Sequence, residues 1–220
     1  MATLRRQRIG IWVIAIVLTI GTIGSFLVMI LASKNSNVDK ARINQLTSEY
    51  QKKMNEYQAK VDAQATELSS KYFAEFSQYA DRFGTFDRDG VKSLKTEELK
   101  QGDGETLGKD TSFTAYYIGW TPDGKVFDSS IDGSKLKAPF NATPGGVIKG
   151  WTQGVEGMKI GGIRELTIPS EDAYGEQGSG NSIPPNTPLK FVIMIIPPVE
   201  SLSQPAIPQE LLNYYNRGVY

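Results

Sequence analysis

Any chemistry in this chain has few side chains to draw on. Its 220 residues include neither Cys nor His. That excludes Cys–His and Ser–His triads, zinc sites built from Cys and His, haem ligation and disulfides. Carboxylates, Tyr, Lys, Ser, Thr, backbone groups and shape remain. One stretch is notable for shape alone: GGVIKGWTQGVEGMKIGG, Gly145 to Gly162, sets Trp151 among seven glycines. Glycine lets a chain turn tightly and lets backbones approach closely. A Trp in that setting offers a broad, flat apolar floor. Its plainer role would be ordinary core.

Three other motifs do not hold up. FDRDG (Phe86–Gly90) begins like a calcium loop, but the sixth position from Asp87 is Lys92, not Gly, so it reads as a turn. GDGETLGKD (Gly102–Asp110) has a Gly-Lys pair, yet a phosphate loop needs Gly at Asp103 and Ser or Thr at Asp110. Asn141-Ala-Thr is a glycosylation sequon only in a host with that machinery. Lys plus Arg balance Asp plus Glu, 24 against 24, so no basic excess argues for nucleic acid.

The elements that would position Trp151 start near Val91. From there, short alternating segments are separated by Gly, Pro and Asp turns, the pattern of antiparallel sheet. Candidate strands are Thr111–Trp120, Gly162–Pro169 and Pro188–Ile196, with TPDGK (Thr121–Lys125) as a hairpin turn before Val126. Only Val147–Met158 reads as helical. One small helix can bury a sheet only if the sheet curls around it. Leu189, Phe191, Ile193 and Ile195 alternate with Val192, Met194 and Ile196, so both faces of the last strand are apolar. Tyr116 and Ile118 repeat the conflict if Tyr117 points inward. Something must cover the outer face.

The first half of the chain supplies candidates. Residues 9–32 are uncharged and mostly apolar, long enough to cross a bilayer core of about 30 Å. Arg5, Arg6 and Arg8 precede the run, which by the positive-inside rule leaves the short N-terminus in the cytoplasm and the rest outside. A polar stretch follows with an apolar stripe: Ile43, Leu46, Tyr50, Met54, Tyr57, Val61, Ala65, Leu68, Tyr72, Phe76, Tyr79, Phe83. Its period of about 3.6 predicts one nearly straight helix, either a spacer packed along one face or a self-associating stalk. The aromatic end, Tyr72, Phe76, Tyr79 and Phe83, is the expected cover for the outer sheet face. Leu211, Leu212 and Tyr215 of the tail are the rival. The tail itself reads either as a pseudo-substrate around Ile207-Pro208 or as a short helix Gln209–Tyr215.

YYIGWTPDGKVFDSS, GGVIKGWTQGVEGM and EDAYGEQGSGNSIPPNTPLKF together resemble the FK506-binding-protein (FKBP) type of peptidyl-prolyl isomerase. Order and spacing match over roughly residues 91–199. The resemblance implies an α+β fold, a five-stranded antiparallel half-barrel wrapped around a short helix, with the site between them. It implies catalytic roles for Tyr117, Phe127, Asp128, Ile148, Trp151 and Tyr174, and substrate-binding roles for Phe140, Val147, Ile183 and Phe191. In that pattern Trp151 is the pocket floor. The Ile148 N–H and the Tyr174 hydroxyl bond ligand carbonyls, and Asp128 accepts from Tyr117. Ala138 and Ser179 stand where the family often carries rings. Those departures bear on turnover and macrolide affinity, not on the fold.

The organisation expected is a cytoplasmic N-terminus (1–8), a transmembrane helix (9–32), a helical stalk and linker (33–90), an FKBP-like isomerase domain (91–199) and a tail (200–220). The expected function is isomerisation of X-Pro bonds in proteins outside the cytoplasmic membrane, by non-covalent stabilisation of the twisted amide, with no cofactor or metal. Expected partners are proline-containing polypeptides, an FK506-type macrolide and, through the single helix, the membrane. Two other readings are an FKBP-like module that grips proline segments with little turnover and a stalked adaptor whose helix assembles partners.

Overall fold

The computed structural model describes residues 37–217. The apolar run 9–32 lies outside the described residues. Among those described, no helix is long and apolar enough to cross a membrane. Contacts divide the described chain into two compact units, residues 65–199 and residues 37–64 with 200–217.

Helix α1 runs Asn37–Phe76 without a Pro or Gly. Its polar side is stitched by Gln45–Glu49, Gln51–Asn55 and Gln58–Asp62 hydrogen bonds four residues apart. The predicted single helix to Phe83 is corrected at its end: after Phe76 the backbone tightens into a 3-10 turn, Ser77–Arg82, and Phe83 is extended. A 3-10 turn is a common way to finish a helix, and it swings Phe83 out to 44% exposure.

The unit of residues 65–199 is built on one antiparallel sheet. Its strands are β1 (Lys95–Lys100), β2 (Phe113–Trp120), β3 (Val126–Ser129), β6 (Phe140–Ala142), β7 (Ile163–Ile168) and β8 (Leu189–Ile196), in the order β1-β7-β8-β2-β3, with β6 also on β2. The expected count of five becomes six because β3 and β6 share one edge of β2. β3 pairs with residues 118–120 and β6 with residues 113–115. A small hairpin, β4 (Ile131–Asp132) with β5 (Lys135–Leu136), interrupts what would otherwise be one strand.

Helix α2 (Lys149–Val155) lies on the inner face. A Cβ on Gly150 would stand 2.3 Å from Ile168 Cγ2, and one on Gly154 would stand 2.6 Å from Leu166 Cδ1. These two glycines, one turn apart, let the helix backbone rest directly on β7. With α2 this close, Trp151 sits against the inner surface of the sheet, where Phe113, Ala115, Phe191, Ile193 and Ile195 join it in one apolar cluster.

The outer face carries a second cluster: Tyr116, Ile118, Trp120, Ile163, Val192, Met194 and Ile196. Its cover is the end of α1. Tyr72 and Phe76 are buried in it, and Tyr79 packs at its edge. Ser69 Oγ accepts the Leu136 N–H at 2.8 Å, tying α1 to β5 as well. The two apolar faces of β8 are thus both used. Glu165, 6% exposed, adds an ionic tie on β7: Arg82 Nε donates to it at 2.8 Å and Lys190 Nζ at 2.8 Å.

In the other unit, the tail returns along the first half of the α1 stripe. Gln64 donates to the Glu200 carbonyl at 3.0 Å. Helix α3 (Gln209–Arg217) buries Leu211 against Ile43, Leu46 and Tyr50. Arg42 holds Glu210 through two parallel bonds, at 3.0 and 3.1 Å. The tail is therefore a helix opened by Pro208, and its seat is α1. Within the chain the stripe is covered at its two ends, Tyr72 and Phe76 by the sheet and Ile43, Leu46 and Tyr50 by the tail.

Candidate functional site

On the inner side of the sheet the rings gather around Trp151. Its indole meets Tyr117 and Phe191 at centroid distances of 5.2 Å each, Phe140 at 5.7 Å and Phe113 at 6.3 Å. The first three are edge-to-face, the arrangement the ring quadrupoles favour. Phe127 stands edge-on to Phe191 at 5.6 Å. Strand periodicity does the sorting: Phe113, Ala115 and Tyr117 alternate on one face of β2, and Leu189, Phe191 and Ile193 on one face of β8. Phe113 was not among the sequence-derived site residues, although that same alternation points to it.

Exposure separates floor from rim. Trp151, Phe191 and Ile183 are buried, at 5%, 3% and 1%. Tyr117, Phe127, Phe140, Val147, Ile148 and Tyr174 are half-buried and pack on the same cluster. All ten sequence-derived site residues thus contribute to one region, since Asp128 reaches it through Tyr117. Ile183 forms the backing of the wall, not its surface. Its backbone is clamped to Ser179 by two bonds, 2.8 and 3.1 Å. Ser179 therefore contributes backbone where the family pattern has a ring. Ala138 is exposed and adds no ring to the cup.

The polar groups fall into two kinds. The first kind is spoken for. The Tyr117 hydroxyl donates to Asp128 Oδ2, whose Oδ1 accepts the Ser129 N–H at 2.8 Å. Ser130, which the sequence reading passed over, fixes the Tyr117 backbone: its Oγ accepts the Tyr117 N–H at 2.9 Å and its N–H donates to the Tyr117 carbonyl at 2.8 Å. Burial, reinforced by the bond to Asp128 and its charge, pushes the Tyr117 phenol far up. The second kind is open. Among the described residues neither the Ile148 N–H nor the Tyr174 hydroxyl makes a hydrogen bond. Burial first, then the charge of Asp128, raises the Tyr174 phenol, so it stays a donor at neutral pH. The Ile148 carbonyl starts α2 by accepting from Trp151 and Thr152 at 3.0 and 3.3 Å.

An apolar, ring-lined cup with two free donors at its rim can hold an extended, carbonyl-bearing apolar group. Among the described residues no cluster of acidic side chains has the spacing of a metal site. Asn141, the sequon residue, accepts from Thr114 Oγ1 at 2.8 Å within the sheet.

A model of the family described as FKBP-type peptidyl-prolyl cis-trans isomerase matches residues 104–196. A protein of Neisseria meningitidis serogroup A named FK506-binding protein is 44% identical over 106 residues, which is 47% of this chain and 94% of that protein. A probable FKBP-type peptidyl-prolyl cis-trans isomerase of Haemophilus influenzae is 37% identical over 133 residues, 60% of this chain and 52% of that one. Among solved structures, a peptidyl-prolyl cis-trans isomerase of Pseudomonas syringae pv. tomato is 31% identical with a TM-score of 0.43, covering 61% of this chain and 93% of that chain.

Proposed function

The chain belongs to the FKBP-type peptidyl-prolyl cis-trans isomerase family, and from that premise we propose that it turns over X-Pro bonds in the cup above Trp151. The observation that carries this reading is the packing of four rings around one indole beneath a half-buried rim.

Rotation about an X-Pro bond must break amide resonance, against a barrier of about 18–20 kcal/mol. Halfway round, the carbonyl has lost its conjugation with nitrogen and carries less negative charge. An apolar enclosure costs the planar, more polar amide more than the twisted one, and so lowers the barrier between them. The proline ring lies over Trp151, with Phe127, Phe140, Val147 and Phe191 as walls and Ile183 behind them. The Ile148 N–H and the Tyr174 hydroxyl hold neighbouring carbonyls in register. Asp128 keeps Tyr117 oriented; no proton is transferred and no covalent bond forms. An FK506-type macrolide would compete for the same surface, through the same two donors.

The domain works outside the cytoplasmic membrane, tethered by residues 9–32. The support is the uncharged run and the cluster Arg5, Arg6 and Arg8 before it. Protease added to intact spheroplasts should digest the domain. Full protection would refute the placement.

A second reading, a module that binds proline segments with little turnover, draws on one observation: exposed Ala138 leaves one side of the cup without a ring. A protease-coupled assay on a Leu-Pro peptide separates the two. Acceleration of cis-to-trans conversion supports the isomerase; binding without acceleration supports the module.

A further inference from the structure

We propose that Arg88, in the linker between stalk and domain, is a positioning residue for the loop that carries the Ile183 wall; this rests on the isomerase reading of the cup. Arg88 lies outside the family-matched residues 104–196. Its linker is already anchored. The Phe86 N–H donates to the Pro122 carbonyl at 3.0 Å, Thr85 pairs with Asp123, and Lys190 Nζ sits 5.6 Å from the centre of the Phe86 ring. From that anchor the guanidinium reaches across. Arg88 Nη2 donates to the carbonyls of Pro185 at 3.0 Å and of Asn186 at 2.9 Å.

Pro184 and Pro185 have no N–H to offer, and besides Arg88 the Pro185 carbonyl accepts from Thr187 Oγ1 at 3.4 Å. Asn186 holds a left-handed φ of 54°, uncommon for a residue with a side chain. The Asn186 N–H donates to the Gly175 carbonyl at 2.8 Å, one residue beyond Tyr174. Three residues before Asn186, Ile183 is clamped to Ser179. One guanidinium therefore holds the end of a loop whose start is a wall of the cup, and that same end is bonded beside the rim hydroxyl. Gly178 approaches the loop so closely that a Cβ on it would stand 2.2 Å from the Ile183 carbonyl, so only glycine fits there.

The test compares the full chain, in detergent, with Arg88→Ala and Arg88→Lys. Three quantities are read: kcat/KM on Leu-Pro peptides, Tm, and hydrogen exchange at the Ile183 and Asn186 amides. Arg88→Ala should lower kcat/KM several-fold, chiefly through KM, and speed exchange at both amides, with Tm nearly unchanged. Arg88→Lys, which keeps one charged donor, should recover part of the loss. Wild-type exchange and turnover in Arg88→Ala would overturn the proposal. So would a fall in Tm with unaltered kcat/KM, which marks a merely structural contact. If the wild-type chain shows no turnover, the isomerase reading fails, while the exchange rates still decide whether the brace exists.

Discussion

Phe76 on the last turn of α1 and Tyr116 on β2 pack ring against ring across the outer face of the sheet, 6.2 Å between centroids at 36°. Both side chains are fully buried. Phe76→Ala should cost about 3 kcal/mol or more and lower Tm by roughly 10 °C. Phe83→Ala, at a 44% exposed position, should change stability by less than about 0.5 kcal/mol. Equal melting of the two variants would show that the helix end is not an integral cover.

Phe127 tests the cup, because it is half-buried at the rim and packs edge-on against Phe191 of the floor. Phe127→Ala should leave the fold intact and cut kcat/KM by about tenfold or more. Tyr174→Phe, which removes only a donor without an internal partner, should lower kcat/KM with no loss of Tm. Full activity in both folded variants would place the site elsewhere.

Alkaline stability follows from the tyrosines. Burial raises the phenols of Tyr116, Tyr117 and Tyr174 above their ordinary value, with Asp128 adding to the last two and Tyr72 to the first. A group whose folded pKa is raised contributes fully below its unfolded pKa. That contribution is lost as pH rises past about 10, where the unfolded chain ionises and the folded one does not. Urea midpoints should stay level to about pH 9 and then fall steeply. The Tyr116 hydroxyl, buried without a partner among the described residues, makes Tyr116→Phe a separate case. That variant should be about 1 kcal/mol more stable at neutral pH and should flatten the alkaline slope. A destabilised Tyr116→Phe would mean that the hydroxyl has a partner after all.

How much of this was legible in the sequence depended on whether a residue's neighbours lie along the chain or across it. The double-faced alternation of β8 announced both the inner cup and the need for an outer cover, since strand periodicity is local. Glycines at 150 and 154 announced a helix lying close on something apolar. By contrast β1, KTEELK, has five of its six residues exposed and no apolar alternation. It is an edge strand held by pairing to β7 and by Arg164–Glu98 bonds of 2.6 and 2.9 Å, and such partners leave no pattern in the strand itself. The split of one edge into β3 and β6 was hidden for the same reason. Nor could periodicity say where the stripe would turn: Phe83 continues the spacing, but the 3-10 turn before it breaks the face.

The tail gives a prediction of its own. Leu211 is fully buried against Ile43, Leu46 and Tyr50, whereas the Arg42–Glu210 pair is exposed. Leu211→Ala should speed hydrogen exchange across Ile43–Tyr50 and open the tail to protease, while Glu210→Gln should do little of either, since exposed ion pairs contribute little. The reverse ranking would mean that charge, not burial, seats α3.

The central claim is that the proline of an X-Pro segment lies on Trp151. The most direct measurement is the indole N–H resonance of Trp151 in the full chain, assigned by loss in Trp151→Phe, as a Leu-Pro peptide is added. That N–H has no internal partner among the described residues and sits beneath the rim. The account predicts a saturable shift of this signal, requiring more peptide in Phe127→Ala and absent with a Leu-Ala peptide. A Trp151 resonance that stays fixed while the peptide is isomerised would contradict it.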